Sequence, residues 1–284
     1  MVLAGFLFGW MGVFVKLGAQ HFSDIELVFY RSLVGLLLIY AFIRRQGGSV
    51  ATRHLNGHLW RSVSGTIAML LFFYCLTVLP LATAVTLNYT SPLFLTLLTM
   101  AVFRDRLHPP LAFAVVLGFA GVVLLLRPTL EREQVIPGLL GLGSGFLAGI
   151  AMLNVRQLGV LGEPEWRIVF YFGLVSTLVS GAIMLFGDIH AITWQGLPIL
   201  LALGISATLA QLAMTRAYRT GKTLVVGSLS YATVVFASLF GMLLWGEALS
   251  PAGWAGIALI VAGGVLSLKL APKHDALQTE RESS

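Results

Sequence analysis

Residues 81–103, LATAVTLNYTSPLFLTLLTMAVF, carry no formal charge over a length that crosses a bilayer as a helix, and they hold an Asn-Tyr-Thr-Ser-Pro cluster near their middle. Backbone and side-chain polar groups at membrane depth are tolerated only where protein or a watery cavity surrounds them, because lipid offers no hydrogen bonds. Such a stretch therefore belongs to the interior of a helix bundle. Nine further apolar runs accompany it, at residues 2–17, 25–43, 62–79, 111–126, 138–155, 168–186, 196–215, 224–245 and 253–270. Each is close to the roughly 20 residues that a helical span needs. Only Pro80 separates the third run from the fourth, and a break there gives a tight hairpin. The chain is 57% hydrophobic and 11% charged, far below the roughly 25% charge of a globular protein, and its mean hydropathy is +0.90. The expected fold is an all-α polytopic membrane protein of ten spans.

Lysine and arginine positions orient the spans. With the N-terminus inside, Arg44, Arg45, Arg53, Arg61, Arg104, Arg106, Arg156, Arg167, Arg216, Arg219, Lys222, Lys269, Lys273 and Arg281 fall on the cytoplasmic side, and only Arg127 and Arg132 fall opposite. This is a strong positive-inside bias, which places both termini in the cytoplasm. The basic pI has its explanation here rather than in nucleic acid. The first run lacks a basic leader and reads as a retained span, and residues 271–284 read as a disordered polar tail. The single Cys75 lies in an apolar run and excludes an intramolecular disulfide or a multi-cysteine metal site.

A register shift of about 142 residues superposes the two halves of the chain. Tyr89 matches Tyr231, Asp105 matches Glu247, Pro109 matches Pro251 and Gly121 matches Gly263, while VFYRSLV from Val28 recurs as VFYFGLV from Val169. Five spans per half is an odd number, so the second half enters from the opposite side. The units are residues 1–127 and 138–270, with a linker at 128–137. Inverted repeats of this kind place a binding site near the midplane, where the halves meet.

Five plus five spans, the acidic residues Asp105 and Glu247 closing the fourth and ninth, the Gly-Val-Val and Gly-Gly-Val-Leu endings that follow, and the arginine of FYRSLVGLLL resemble the EamA group of the drug/metabolite transporter superfamily. The resemblance covers nearly the whole chain. It implies a central cavity ringed by both halves, with gates formed by the hairpins of the third and fourth and of the eighth and ninth spans. It also implies export of small metabolites by alternating access, with aromatic amino acids favoured. The alternatives are a non-transporting scaffold or receptor subunit, or a channel-like facilitator.

Residue patterns supply the candidate site. Thr86, Tyr89 and Thr90 share one face of the fourth span, and Ser228 and Tyr231 share one face of the ninth. The tyrosines are read as cavity lining ahead of packing, whereas Thr86 and Ser228 fit either role. Trp10, at mid-span, and Tyr74 are candidate aromatic walls. Gln211 and Asn154 must face protein or water, since an amide in lipid is costly. Lys16 can snorkel to the outer surface, but Arg31 lies too deep and must turn inward, either to fix packing or to hold a substrate carboxylate. Pro92 has no counterpart in the ninth span and reads as a local asymmetry. Glycines 141, 145 and 149, echoed by Gly5 and Gly9, read as close-packing stripes.

No acidic residue lies deep in a span, so no carboxylate proton relay is expected. All six histidines are assigned between or after spans, which leaves no histidine pair at depth for a metal, a haem or a protease dyad. No GxxxxGK[ST] phosphate loop is present. An enzyme is not expected, nor a cofactor. The expected partners are a small-molecule substrate and the bilayer, with no nucleic acid, and a monomer suffices.

Overall fold

The computed structural model describes residues 1–79, 81–103, 109–126, 134–187, 189–246 and 249–270. Among them every regular element is helical: α1 (Val2–Gly18), α2 (Asp24–Arg45), α3 (Leu55–Val78), α4 (Leu81–Asn88), α5 (Ser91–Phe103), α6 (Pro109–Leu126), α7 (Val135–Val160), α8 (Glu165–Met184), α9 (Gly196–Thr220), α10 (Thr223–Ser230), α11 (Ala232–Trp245) and α12 (Pro251–Leu270). Within the described residues, six segments are long and apolar enough to cross a membrane, with α10 and α11 counted as one and the shorter apolar α1 and α6 beside them. The polarity of the bundle is the reverse of a soluble protein's. Leu139, Leu178 and Leu243 are 62%, 64% and 78% exposed, while Glu26, His58, Arg61, Ser144 and Ser176 are almost fully buried. Apolar outside and polar inside is the arrangement a lipid solvent selects. The chain is a multi-pass membrane protein.

Helix ends follow local chemistry. Ser23 and Glu26 form a reciprocal capping box that starts α2. Leu79, with ψ 155°, is extended and ends α3, as expected of the residue that precedes a proline. Pro80 itself, like Asp105 and Glu247, lies outside the described residues. Gly246 closes α11 in the left-handed conformation, with φ 67°. The third span differs from expectation. It begins at Leu55 rather than Ser62, so His58 and Arg61 sit inside a helix and not in a connecting segment. The polar Asn-Gly-His stretch masked that first turn.

Helix α6 packs along α12, α3 along α7, α2 along α8 and α9, and α1 along α9 and α11. The stretch 81–103 forms two helices, α4 and α5, interrupted at Tyr89 and Thr90, and the ninth span is likewise split into α10 and α11 at Tyr231. Each break has a side chain competing for a backbone carbonyl. Thr90 Oγ1 donates to Leu87 O at 2.5 Å, and Ser230 Oγ donates to Gly227 O at 2.7 Å. Short-range bonds then restart the helices, Leu93 N–H to Thr90 O at 2.9 Å and Val234 N–H to Tyr231 O at 3.0 Å. The break is therefore common to both spans and does not depend on Pro92, which has no counterpart in the ninth.

Glycines seat both breaks. A β-carbon at Gly145 of α7 would come within 2.7 Å of Leu87 O, and one at Gly5 of α1 within 3.0 Å of Thr233 N. Asn88 adds a side-chain bond from the first break to α7, donating to Ser144 Oγ at 2.7 Å.

Candidate functional site

Helices α2, α8 and α9 line a partly open cavity of about 30 Å³, with Arg31, Ser32, Phe172, Thr208 and Gln211 among its wall residues. That volume holds two or so water-sized groups, given about 10–15 Å³ for each. Arg31 stands seven residues beyond Asp24 on α2, about 10 Å along the helix, and its Nη1 donates to Met69 Sδ at 2.8 Å. Gln211 is 6% exposed, and its Nε2 has no hydrogen-bond partner among the described residues.

A second arginine adjoins this cavity. Arg61 on α3 is 1% exposed, and its guanidinium carbon lies 4.2 Å from the centre of the Phe172 ring, which itself lines the cavity. Its arm runs deeper into the helix rather than toward the end: a β-carbon at Gly65, one turn further on, would collide with Arg61 Nη1. Helical side chains lean by default toward the N-terminus, so this arm is turned against that lean and does not snorkel. Nε and Nη1 of Arg61 have no hydrogen-bond partner among the described residues. The charge that acts on it is a like charge, Arg31.

The four described carboxylates are Asp24, Glu26, Glu163 and Glu165, all at helix ends. On the insertion scale each guanidinium costs up to about 3 kcal/mol at the helix centre and less toward the interface. The Phe172 face returns about 2 kcal/mol of that. The site is thus a cationic pocket whose charge the protein leaves largely uncompensated among the described residues.

The other expected site residues are dispersed around this centre. Tyr89 and Tyr231, at the two breaks, meet with ring centroids 6.3 Å apart. Tyr231 is wholly buried against Val115, Val122 and Ile260, and its hydroxyl is without a partner among the described residues. The Tyr89 hydroxyl lies close to the Thr233 side chain. Pro92 packs close to Gly227 of α10, so the two broken spans touch at their centres. Thr86 and Ser228 are buried at 5% and 1% exposure. Trp10 stacks on Phe14 and Phe240 of α11. Tyr74 is 45% exposed on α3, and Asn154 is half-buried on α7. Lys16 lies 4.1 Å over the Trp245 ring. Of the whole set, Arg31 and Gln211 line the cavity. Arg61 was missed because it reads as one more cytoplasmic positive charge.

Each end of the bundle is tied across the two halves of the chain. At one end Glu163, 4% exposed between α7 and α8, accepts from Thr52 Oγ1 at 2.5 Å and Arg167 Nη1 at 2.8 Å, with His58 Nε2 at 3.2 Å. Arg167 also donates to Ser49 O, and Tyr171 Oη to Val50 O. Burial works against the Glu163 charge, but the bonds from Thr52 and Arg167, with the His58 ring close by, outweigh it and hold the carboxyl below its ordinary range. At the other end the buried Glu26 accepts from His190 N at 2.7 Å and contacts His190 Nδ1 at 2.8 Å. These ties join the α2–α3 segment to the turn before α8, and the start of α2 to the segment after α8.

Comparison with known proteins decides the family. The chain matches the EamA-like transporter family over residues 1–127 and 136–269. It belongs to that family. Among relatives, the EamA-like chain is 31% identical over 265 residues to the pseudopaline exporter CntI of Pseudomonas aeruginosa (strain UCBPP-PA14), covering 93% of this chain and 90% of the relative. It is 26% identical over 274 residues to a riboflavin transporter of Rhizobium johnstonii, covering 95% and 89%, and 25% identical over 284 residues to human solute carrier family 35 member G1, covering 93% and 76%. A crystal structure aligns over 96% of this chain and 98% of its own, with a TM-score of 0.84 at 22% identity, which shows the shared fold. This EamA-like protein is a transporter of small molecules and not an enzyme.

Proposed function

We propose that the protein exports small organic metabolites across the bacterial inner membrane by alternating access. The observation that carries this reading is the polar cavity where α2 meets α8, the helices that share VFYRSLV and VFYFGLV. Ten spans form two inverted five-helix units, 1–127 and 138–270, with α4–α5 and α10–α11 as the broken fourth and ninth. Helix packing supports the exchange: α2 with α8 and α6 with α12 map onto themselves, and α3 with α7 maps onto α9 with α1. Ser64-x-Thr66-x-Ala68 on α3 recurs as Ser206-x-Thr208-x-Ala210 on α9 at the same 142-residue shift. The basic residues then put both termini, the Glu163 tie and the tail in the cytoplasm, and the Glu26 tie outside.

Export is supported by the name of the Pseudomonas aeruginosa relative. Pseudopaline and riboflavin in the relatives' names give no support to an aromatic amino acid, so the substrate class stands as small organic metabolites. The test is counterflow with purified protein in liposomes, screened against labelled amino acids, organic acids, nucleosides and organic cations. Saturable exchange of at least one solute is expected. Flux without saturation or exchange makes the protein a channel, and no flux of any solute refutes the reading.

A further inference from the structure

We propose that Arg31 and Arg61 act as a pair that takes up a dianion, so that the transported solute carries at least two carboxylates. This deepens the function proposed above and rests on it. Arg61 is 1% exposed with Nε and Nη1 unbonded among the described residues, and it lies over the ring of Phe172, which lines the cavity together with Arg31. Of the four described carboxylates, Glu26, Glu163 and Glu165 are occupied by His190, by Thr52 with Arg167, and by Arg219. None of the four is ion-paired with either arginine.

The two-fold relation of the halves sharpens the assignment. At the shifts that superpose the repeats, Arg31 falls on Phe172, Arg61 on Leu203 and Met69 on Gln211. A bundle built from equivalent halves folds around Phe172 and fully buried Leu203, so its packing does not demand a cation at the matching positions. Both cations therefore sit on the first half, facing a neutral wall of Phe172, Thr208 and Gln211. A planar guanidinium matches a carboxylate with two parallel bonds. A single carboxylate leaves one buried positive charge unneutralised, whereas a dicarboxylate neutralises both. Gln211 Nε2, also unbonded among the described residues, supplies a further donor to the bound acid. The cavity of about 30 Å³ holds about two water-sized groups in this conformation, so the halves part to admit the dianion.

Purified protein in detergent tests binding by thermal unfolding with succinate, adipate and N-acetylglutamate as dicarboxylates. Butyrate, succinamide and inorganic phosphate serve as comparisons. The same solutes then compete for counterflow in liposomes. At least one dicarboxylate is expected to raise Tm saturably and to compete at least tenfold better than butyrate, with succinamide inert. Arg61→Leu, the residue the second half carries, is expected to stay monodisperse and to lose that preference by tenfold or more, while Arg61→Lys recovers part of it. Stabilisation by phosphate without a dicarboxylate preference overturns the inference, as does a folded Arg61→Leu variant with an unchanged preference. Transport of other solutes with no effect of any dicarboxylate overturns the inference but leaves the transporter reading standing. Dicarboxylate binding without flux supports the arginine pair and removes the transporter reading.

Discussion

The Glu163 tie makes a quantitative prediction about access from its own end of the bundle. Glu163→Gln keeps the shape and the Thr52 bond but removes the charge that Arg167 and His58 meet at 2.8 and 3.2 Å. A hydrogen bond to a charged group contributes about 1.5–3 kcal/mol. Opening the α2–α3 segment away from α8 is then favoured by that amount, a factor of about 10 to 150 at 1.4 kcal/mol per decade. The assay uses Cys75→Ala with Val50→Cys, part-buried in the tied segment against the cluster that includes Val169 of α8, and follows the rate of labelling by an impermeant maleimide relative to denatured protein. Acidification tests the same tie, and its sign is fixed. Glu163 is held below its ordinary range by its partners, so its contribution is complete above the unperturbed glutamate value of about 4.3. It is lost as pH falls through the lower folded value. The part of the tie that Glu163 supplies is therefore constant from pH 8 to 5 and is lost only in stronger acid, while Glu163→Gln is fast throughout; a rise in the parent that begins above pH 5 belongs to His58 in the same tie. Equal rates in parent and variant at pH 7 refute the assignment of Glu163 as a tie between the halves.

Three further substitutions read other parts of the bundle. Tyr231→Phe removes a buried hydroxyl that has no partner among the described residues, so Tm is expected to hold or rise; a fall in transport at unchanged Tm assigns that hydroxyl to the substrate path. Gly145→Leu forces a side chain against Leu87 O and Thr90 and is expected to cost about 1–3 kcal/mol through overpacking, read as a lowered Tm. Gly65→Ala gains about 1 kcal/mol of helix propensity but collides with the Arg61 head, so it lowers Tm in the parent and raises it in Arg61→Leu. A double-mutant cycle in which the two changes simply add removes Arg61 from that position.

Much of the architecture is legible in the chain because uncharged runs of spanning length leave the backbone little choice but helix. The Tyr89 and Tyr231 pair was also legible, as repeated residues among spans where leucine and valine matches mean little, and the rings do meet. The breaks at those tyrosines were only half visible. Proline marks one, while the other depends on Ser230 capturing Gly227 O, a choice that a hydropathy pattern does not register. Arg61 was hidden for a different reason. Its helix opens with LNGHLWRS, polar enough to read as a connecting segment, and only the fold shows that the arm turns inward beside Gly65.

Equivalent positions in the two halves separate packing from chemistry. Ser64 and Ser206, Thr66 and Thr208, and the glycines that seat each break are shared, as expected where both halves solve one packing problem. Thr66 bonds Ser176 at 2.8 Å, while Thr208 on the related helix faces Gly35, the residue that corresponds to Ser176. Around the same centre the halves diverge at Arg31 and Phe172, Arg61 and Leu203, Met69 and Gln211. Packing symmetry does not require those differences, and two of the three add a buried cation to the first half. A solute held there has its acidic groups fixed to one half and its remaining surface toward the other. In the proposed alternating-access cycle, the contacts that break as the halves move are then the neutral ones to Phe172, Thr208 and Gln211. The costly charge pairing is kept during that movement and is given up only on release, so the anion's full binding energy does not oppose the movement itself.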